Sequence, residues 1–148
     1  MKTNHNNFLK LAFNIAKVNL GKTHLNPSVG CVVVKNNSVI SSGHTSLQGR
    51  PHAEFNALKS KKSFKNSDLY VTMEPCTHYG VTPPCINIIA KKRIKRVFFS
   101  FNDTDKRTAK KSKKELARKK IKVYKKSNND FHDFYQSYFL IQKNIIPF

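Results

Sequence analysis

Cysteine is scarce in this chain of 148 residues: there are three. So few thiols cannot supply the staple framework of a small secreted scaffold, and they support a reducing compartment instead. Long apolar runs are lacking as well. No stretch approaches the ~20 apolar residues of a membrane span. The N-terminus is rich in Asn and has no apolar segment ahead of a small-residue cleavage site. A cytoplasmic protein without membrane attachment is therefore expected. Acidic residues are the third shortage, with eight Asp and Glu against 28 Lys and Arg, a formal charge of +20. A surplus of this kind attracts phosphate backbones without regard to sequence. A plainer explanation competes with it, because Lys, Asn and Ile are abundant throughout, as in a proteome of biased base composition. The densest run, residues 106–122, sets Lys110, Lys111, Lys113, Lys114, Lys119 and Lys120 around few apolar positions, which describes the solvated face of a surface helix. Internal repeats are absent, as are low-complexity segments beyond the lysine bias. One domain remains (1–148), long enough to bury roughly 68–70% of the surface its unfolded chain exposes.

What the chain does have is a pair of short segments, Pro51-His52-Ala53-Glu54 and Glu74-Pro75-Cys76, followed by a cysteine at Pro83-Pro84-Cys85. One imidazole and two thiolates are good ligands for tetrahedral Zn²⁺, and a catalytic site leaves the fourth position to water. His52, Cys76 and Cys85 are the candidate metal ligands. Glu54, two residues past the histidine, is placed to carry protons beside the metal rather than to bind it, and is the candidate catalytic residue. His-x-Glu followed by Pro-Cys and a second cysteine is the mark of zinc-dependent base deaminases. The cysteine spacing departs from the short form of that pattern: eight residues, Thr77 to Pro84, separate the two thiols. With one glycine and two prolines, that stretch reads as an ordered loop that adds walls around a small polar substrate. Cys85 then opens a helix through Ile86, Ile88 and Ile89, whose dipole is expected to favour its thiolate. Cys31, inside an apolar run, reads as a buried free thiol.

These segments, with Asn26-Pro27-Ser28-Val29-Gly30-Cys31, Gly49-Arg50-Pro51-His52-Ala53-Glu54, Tyr70-Val71-Thr72-Met73-Glu74-Pro75-Cys76-Thr77-His78 and Thr82-Pro83-Pro84-Cys85, resemble the deaminase domain of bacterial riboflavin biosynthesis. The likeness runs over nearly the whole chain, and the long inter-cysteine loop is the specific part. It implies a cytidine-deaminase-like α/β fold, a three-layer α/β/α sandwich with a mixed sheet of about five strands. It also implies a zinc cofactor, a hydrolase acting on a pyrimidine ribotide, and Asn26, His44, His78 and Asp103 as substrate contacts. An Asx turn before Pro27 and a turn or helix cap at Asp103 are the alternatives for two of these. The family's C-terminal reductase domain is expected to be absent, the chain closing at Ile145-Ile146-Pro147-Phe148, so that a separate reductase would consume the product. Where the family has Arg or Lys in the inter-cysteine loop this chain has Val81; Arg50, Lys106 or Arg107 would have to substitute, or the substrate preference has drifted. Glu74 reads equally as a buried structural carboxylate and as a catalytic one. Two rival readings stay open: a deaminase of another base, nucleoside, nucleotide or tRNA adenosine, and a zinc protein that binds nucleic acid without chemistry.

Hydrophobic spacing predicts a helix from about Asn6 to Leu20, ended by Gly21, and a hairpin of 29–35 and 38–42 about Asn36-Asn37. A helix from His52 to about Lys59 follows, with small Ala53 and Ala57 facing the sheet. Strands are predicted at 69–72, 96–101 and 121–124, and a helix at 109–119. A final helix from about Asp130 to Gln142 would carry Phe131, Phe134, Tyr135, Tyr138 and Phe139 as a stripe for core packing or a subunit contact, which leaves room for a homo-oligomer. His5, His24 and His132 lie outside any ligand pattern and read as surface residues.

Overall fold

The computed structural model describes residues 4–142; the closing segment 145–148 lies outside the described residues. Five strands, β1 (Gly30–Lys35), β2 (Ser38–His44), β3 (Asp68–Met73), β4 (Arg96–Phe101) and β5 (Lys122–Lys125), form one sheet in the order β2-β1-β3-β4-β5. β1 is antiparallel to both its neighbours, while β3, β4 and β5 are parallel. The sheet is mixed and five-stranded, as expected. Helices α1 (His5–Ala16), α2 (Ala53–Leu58), α3 (Cys85–Lys91), α4 (Ser112–Arg118) and α5 (Gln136–Gln142) surround it. Because strand side chains alternate, Val32 and Val34 of β1 meet Leu9 and Ala12 of α1 on one face, joined by Tyr70 and Phe98. Cys31 and Val33 point the other way, into a core with Leu69, Val71, Val97 and Phe99 of the neighbouring strands, Ala57 and Leu58 of α2, Ile89 of α3 and Leu116 of α4. Both faces are covered, which is why these strands read as near-continuous apolar runs. The arrangement is the three-layer α/β/α sandwich.

Close approaches explain two glycines. A Cβ on Gly30 of β1 would stand 1.8 Å from the Ala12 carbonyl oxygen of α1, and one on Gly43 of β2 would stand 2.6 Å from both the Ala53 carbonyl oxygen and the Ala57 nitrogen of α2. Only glycine lets these backbones come so near, and α2, which carries Glu54, is seated by the second contact. The β1–β2 hairpin turns on Asn36 and Asn37, both with positive φ (50° and 61°), the conformation a two-residue hairpin turn of matching twist requires.

The C-terminal aromatic segment departs from its expectation. Instead of one helix from 130 to 142 it forms a 3₁₀ turn at Asn129–Phe131, further turns, and then α5. The cause is that two rings must reach the core at once, Tyr135 buried and Phe131 partly so. Phe131 stacks on Phe13 of α1 at 4.4 Å between ring centroids. Tyr135, 2% exposed, turns inward so that its hydroxyl donates to the Ser28 carbonyl at 2.7 Å and meets Thr72 Oγ1 at 2.6 Å. Phe134 packs on Phe13 and Phe139 on Phe101. The stripe is core packing. Among the described residues no helix is long and apolar enough to cross a membrane.

His24 and His132 are exposed as expected, but His5 is not a plain surface residue. Its ring stacks on Phe98 at 4.3 Å and its Nδ1 lies 2.6 Å from the Tyr70 hydroxyl. Burial holds the Tyr70 proton on, raising its pKa, so Tyr70 donates and His5 accepts. Burial first, then Arg96 and Lys126, lower the His5 pKa, with Asp68 opposing. The unfolded chain therefore binds a proton at His5 more readily than the folded one, and this contribution to stability is present above the ordinary histidine pKa and lost as pH falls below it. The urea midpoint is expected to drop between about pH 7 and about pH 5, and to drop less in His5→Gln. Equal pH profiles for the two proteins would contradict this.

Candidate active site

The site gathers at the C-terminal end of β3 and the starts of two helices. β3 delivers Glu74-Pro75-Cys76, α2 begins just after His52, and α3 begins at Cys85. His52 Nδ1 lies 3.8 Å from Cys76 Sγ and 3.5 Å from Cys85 Sγ. Ligands at tetrahedral angles around zinc, with Zn–N of ~2.0–2.1 Å and Zn–S of ~2.3 Å, stand about 3.6 Å apart. Both His52–sulfur separations match that value, all three donors lie within 4.8 Å of one another, and among the described residues they are the one such group of metal-ligating side chains. Three ligands also leave a tetrahedral ion one position open.

The electrostatics of the two thiols reverse one expectation. The first amides of α3 do not favour the Cys85 thiolate: the Cys85 backbone N–H points at Cys76 Sγ, 3.1 Å away. Hydrogen bonding from the Cys85 thiol, and then from His52, pulls Cys76 down to about 4. Cys85 moves well up, chiefly because its proton is held by Cys76 and then because it is buried. Cys76 is thus the member of the pair that ionises first. His52 is shifted up, mainly by its bond to Cys76.

Glu54 lies in the first turn of α2 and is 4% exposed. Burial raises its pKa, with His52 opposing, and its carboxyl reaches the Cys85 sulfur. A carboxyl held here exchanges a proton more easily near neutral pH than an exposed one.

A cavity of about 270 Å³ opens over this group and is lined by Asn26, His52, Glu54, Cys76, His78 and Asp103, among others. Asn26 makes no turn on its own backbone through its side chain; its Nδ2 donates across to the Gly49 carbonyl at 2.9 Å. Gly49 has φ +93°, and a Cβ there would stand 2.7 Å from Asn26 Nδ2, so glycine is required. His78 Nδ1 is held at 2.8 Å by Thr108 Oγ1, which also accepts the Thr77 N–H. Asp103 Oδ1 accepts the Asp105 N–H at 3.1 Å and the Tyr138 hydroxyl at 3.3 Å, and burial raises its pKa. His44 is placed elsewhere. Its Nδ1 turns to Asn19 Nδ2 and the Thr45 carbonyl, and it does not line the cavity.

Glu74 resolves toward the structural alternative. Its carboxylate accepts the N–H groups of Asp103 and Lys110 and the Ser112 hydroxyl, at 2.8, 2.9 and 2.7 Å. It thereby ties the loop that carries Asp103 to the end of β3. Tyr138 and Thr108 are site residues that the sequence pattern does not single out. A hydroxyl within an otherwise phenyl-rich stripe is the available signal for Tyr138; Thr108 offers none.

Comparison with known proteins agrees with this geometry. The family described as the cytidine and deoxycytidylate deaminase zinc-binding region matches residues 2–101. Over 92 residues the chain is 49% identical to the riboflavin biosynthesis protein RibD of Aquifex aeolicus, which covers 62% of this chain and 26% of that protein. It is 43% identical over 94 residues to a diaminohydroxyphosphoribosylamino-pyrimidine deaminase of Buchnera aphidicola, covering 63% of this chain and 64% of that one. Among solved structures, a diaminohydroxyphosphoribosylaminopyrimidine deaminase/5-amino-6-(5-phosphoribosylamino)uracil reductase from Thermotoga maritima superposes with a TM-score of 0.87 at 29% identity, over 97% of this chain and 42% of that one. The chain thus spans about a quarter of the length of the first relative. Since the matched stretch includes His52, Glu54, Cys76 and Cys85, the residues that build the site, the chain belongs to the cytidine and deoxycytidylate deaminase zinc-binding family.

Proposed function

We propose that this chain is a hydrolase that converts 2,5-diamino-6-(5-phosphoribosylamino)pyrimidin-4(3H)-one and water to 5-amino-6-(5-phosphoribosylamino)uracil and ammonia, a step of riboflavin biosynthesis. The observation that carries it is the triangle of His52, Cys76 and Cys85 beside the buried carboxyl of Glu54, spanned by the long loop from Thr77 to Pro84. The relatives from Aquifex and Buchnera support the choice of substrate. His52, Cys76 and Cys85 would hold the zinc, which would supply the Lewis acidity that eases loss of a proton from water near neutral pH. Glu54 accepts that proton on a carboxylate oxygen. It returns that proton to the ring nitrogen as the water oxygen bonds to the amine-bearing ring carbon, then takes the second proton from that oxygen and passes it to the amine, so that the C–NH₂ bond breaks and ammonia leaves as the carbonyl forms. Asn26, His78 and Asp103 hold the pyrimidine ribotide across the cavity, Asp103 being set in place by Glu74 and Tyr138. The buried floor of the site keeps bulk water away from the proton carried by Glu54. The product is a substrate for reduction, and a reductase is its next partner; the Thermotoga neighbour names both activities in one chain.

The test is mass spectrometry of the diaminopyrimidine ribotide after incubation with zinc-loaded protein, in the presence of cytidine, guanine and a tRNA adenosine as competitors. The mass change that replaces NH₂ by OH is expected on the ribotide alone. Turnover of a competitor with the ribotide untouched would keep the deaminase chemistry and overturn the substrate.

A further inference from the structure

Two cations line the cavity, and they differ in what neutralises them. Arg107 is paired: its Nη2 and Nε donate to the Asp105 carboxylate at 2.7 and 3.0 Å. The pairing is mutual, since that contact holds the Asp105 carboxyl down to about 2. Arg50 has no carboxylate within ion-pair distance among the described residues. Its Nη1 donates to Thr82 Oγ1 at 3.0 Å and lies 3.3 Å from His52 Nε2. Its Nη2 is 3.6 Å from where a Cβ on Gly80 would stand, so it lies against the inter-cysteine loop at a point kept free of side chain. That loop brings no cation of its own. Val81, at its middle, is 83% exposed. Lys106 does not line the cavity either.

A half-buried guanidinium has given up part of its hydration, and a counter-ion offsets that cost. Arg50 has a planar fork of five donors, of which the two on Nη1 face Thr82 and His52, leaving the edge formed by Nη2 and Nε. The unengaged edge matches the geometry of a phosphate, which accepts two parallel N–H bonds. Thr82 fixes the plane of the fork, and the neighbouring histidine places it beside the reacting centre.

We propose that Arg50 selects phosphorylated substrates, binding the phosphate monoester of the ribotide through its unpaired guanidinium edge and supplying from the segment before His52 the cation that the loop lacks at Val81. This rests on the deaminase reading for the identity of the ribotide, but not for the existence of the anion site.

The experiment has a binding arm and a kinetic arm. In the first, ribose 5-phosphate and ribose are titrated by NMR into zinc-loaded wild type, Arg50→Gln and Arg50→Lys, with zinc content measured for each. Wild type is expected to bind ribose 5-phosphate in preference to ribose, Arg50→Gln to lose that preference, and Arg50→Lys to keep part of it. In the second, kcat/KM is compared for the ribotide and its dephosphorylated riboside. Removing a charge-assisted hydrogen bond is expected to lower the ribotide value about 10- to 150-fold, mostly through KM, and at least ~10-fold further than the riboside value. Ribose 5-phosphate binding wild type and Arg50→Gln alike would overturn the proposal, as would an equal fall on both substrates. Phosphate binding that depends on Arg50, with the ribotide not turned over by wild type, would uphold the anion site and overturn the substrate instead.

Discussion

Glutamine in place of Glu54 is expected to lower kcat by about 10²- to 10⁴-fold, the usual worth of a positioned general acid and base, while the protein keeps its zinc. The side chain sits in the first turn of α2, 4% exposed, with its carboxyl against the Cys85 sulfur. An amide of the same shape fills that space and can still bond the sulfur, so the three metal ligands should be undisturbed. It can neither accept the proton from water nor deliver one to the leaving amine. Burial raises the Glu54 pKa, which brings its protonated and ionised forms closer in energy, as a residue that does both jobs requires. Steady-state kinetics together with zinc analysis of the purified variant decide the matter. Near-normal turnover would remove Glu54 from the proton path; loss of zinc along with turnover would make it a support of the metal group.

Alanine at Gly30 should produce the largest loss of stability among glycine-to-alanine changes in the chain. Its Cβ would stand 1.8 Å from the Ala12 carbonyl oxygen and 2.8 Å from the Ala16 nitrogen, both backbone atoms of α1. No rotamer change relieves a clash between main chains, so α1 must lift from the sheet and open the layer where Leu9 and Ala12 meet Val32 and Tyr70. Overpacking at the upper end of its usual range costs about 3 kcal/mol. In a chain of this size that lowers the midpoint of thermal unfolding by about 6–12 °C. A thermal melt of Gly30→Ala within a degree of wild type would show that α1 is not seated as described.

The metal group is legible in the sequence because its chemistry is local: ligand type and short spacing identify His52, Cys76 and Cys85, whatever the rest of the chain does. The strands are legible for a similar reason, since β1, β3 and β4 carry apolar residues on both faces and stand out from the lysine-rich connections. Legibility ends where a side chain chooses between partners distant in sequence. Periodicity puts the rings of 131–139 on one helix, but it does not show that Phe131 and Tyr135 are drawn to Phe13 and Thr72, which bends the backbone between them. The ambiguity of Glu74 is of the same kind; three donors from 103, 110 and 112 settle it. His44 carries the right functional group at the end of β2, yet Asn19 and the Thr45 carbonyl claim its Nδ1. For α3, spacing reveals that a helix starts at Cys85 but not which sulfur its first N–H addresses.

The bond from the Tyr135 hydroxyl to the Ser28 carbonyl joins groups 107 residues apart, and the rings around it close over Phe13 of the first helix. During synthesis, therefore, Phe13 must wait for the segment that carries Phe131 and Tyr135 before its ring is covered. Tyr135 follows Phe13 by 122 residues, so at about 5–20 residues per second that interval is roughly 6 to 24 s. Throughout it the Phe13 ring on the nascent helix lacks its native cover, which leaves that apolar surface open to self-association and to capture by chaperones.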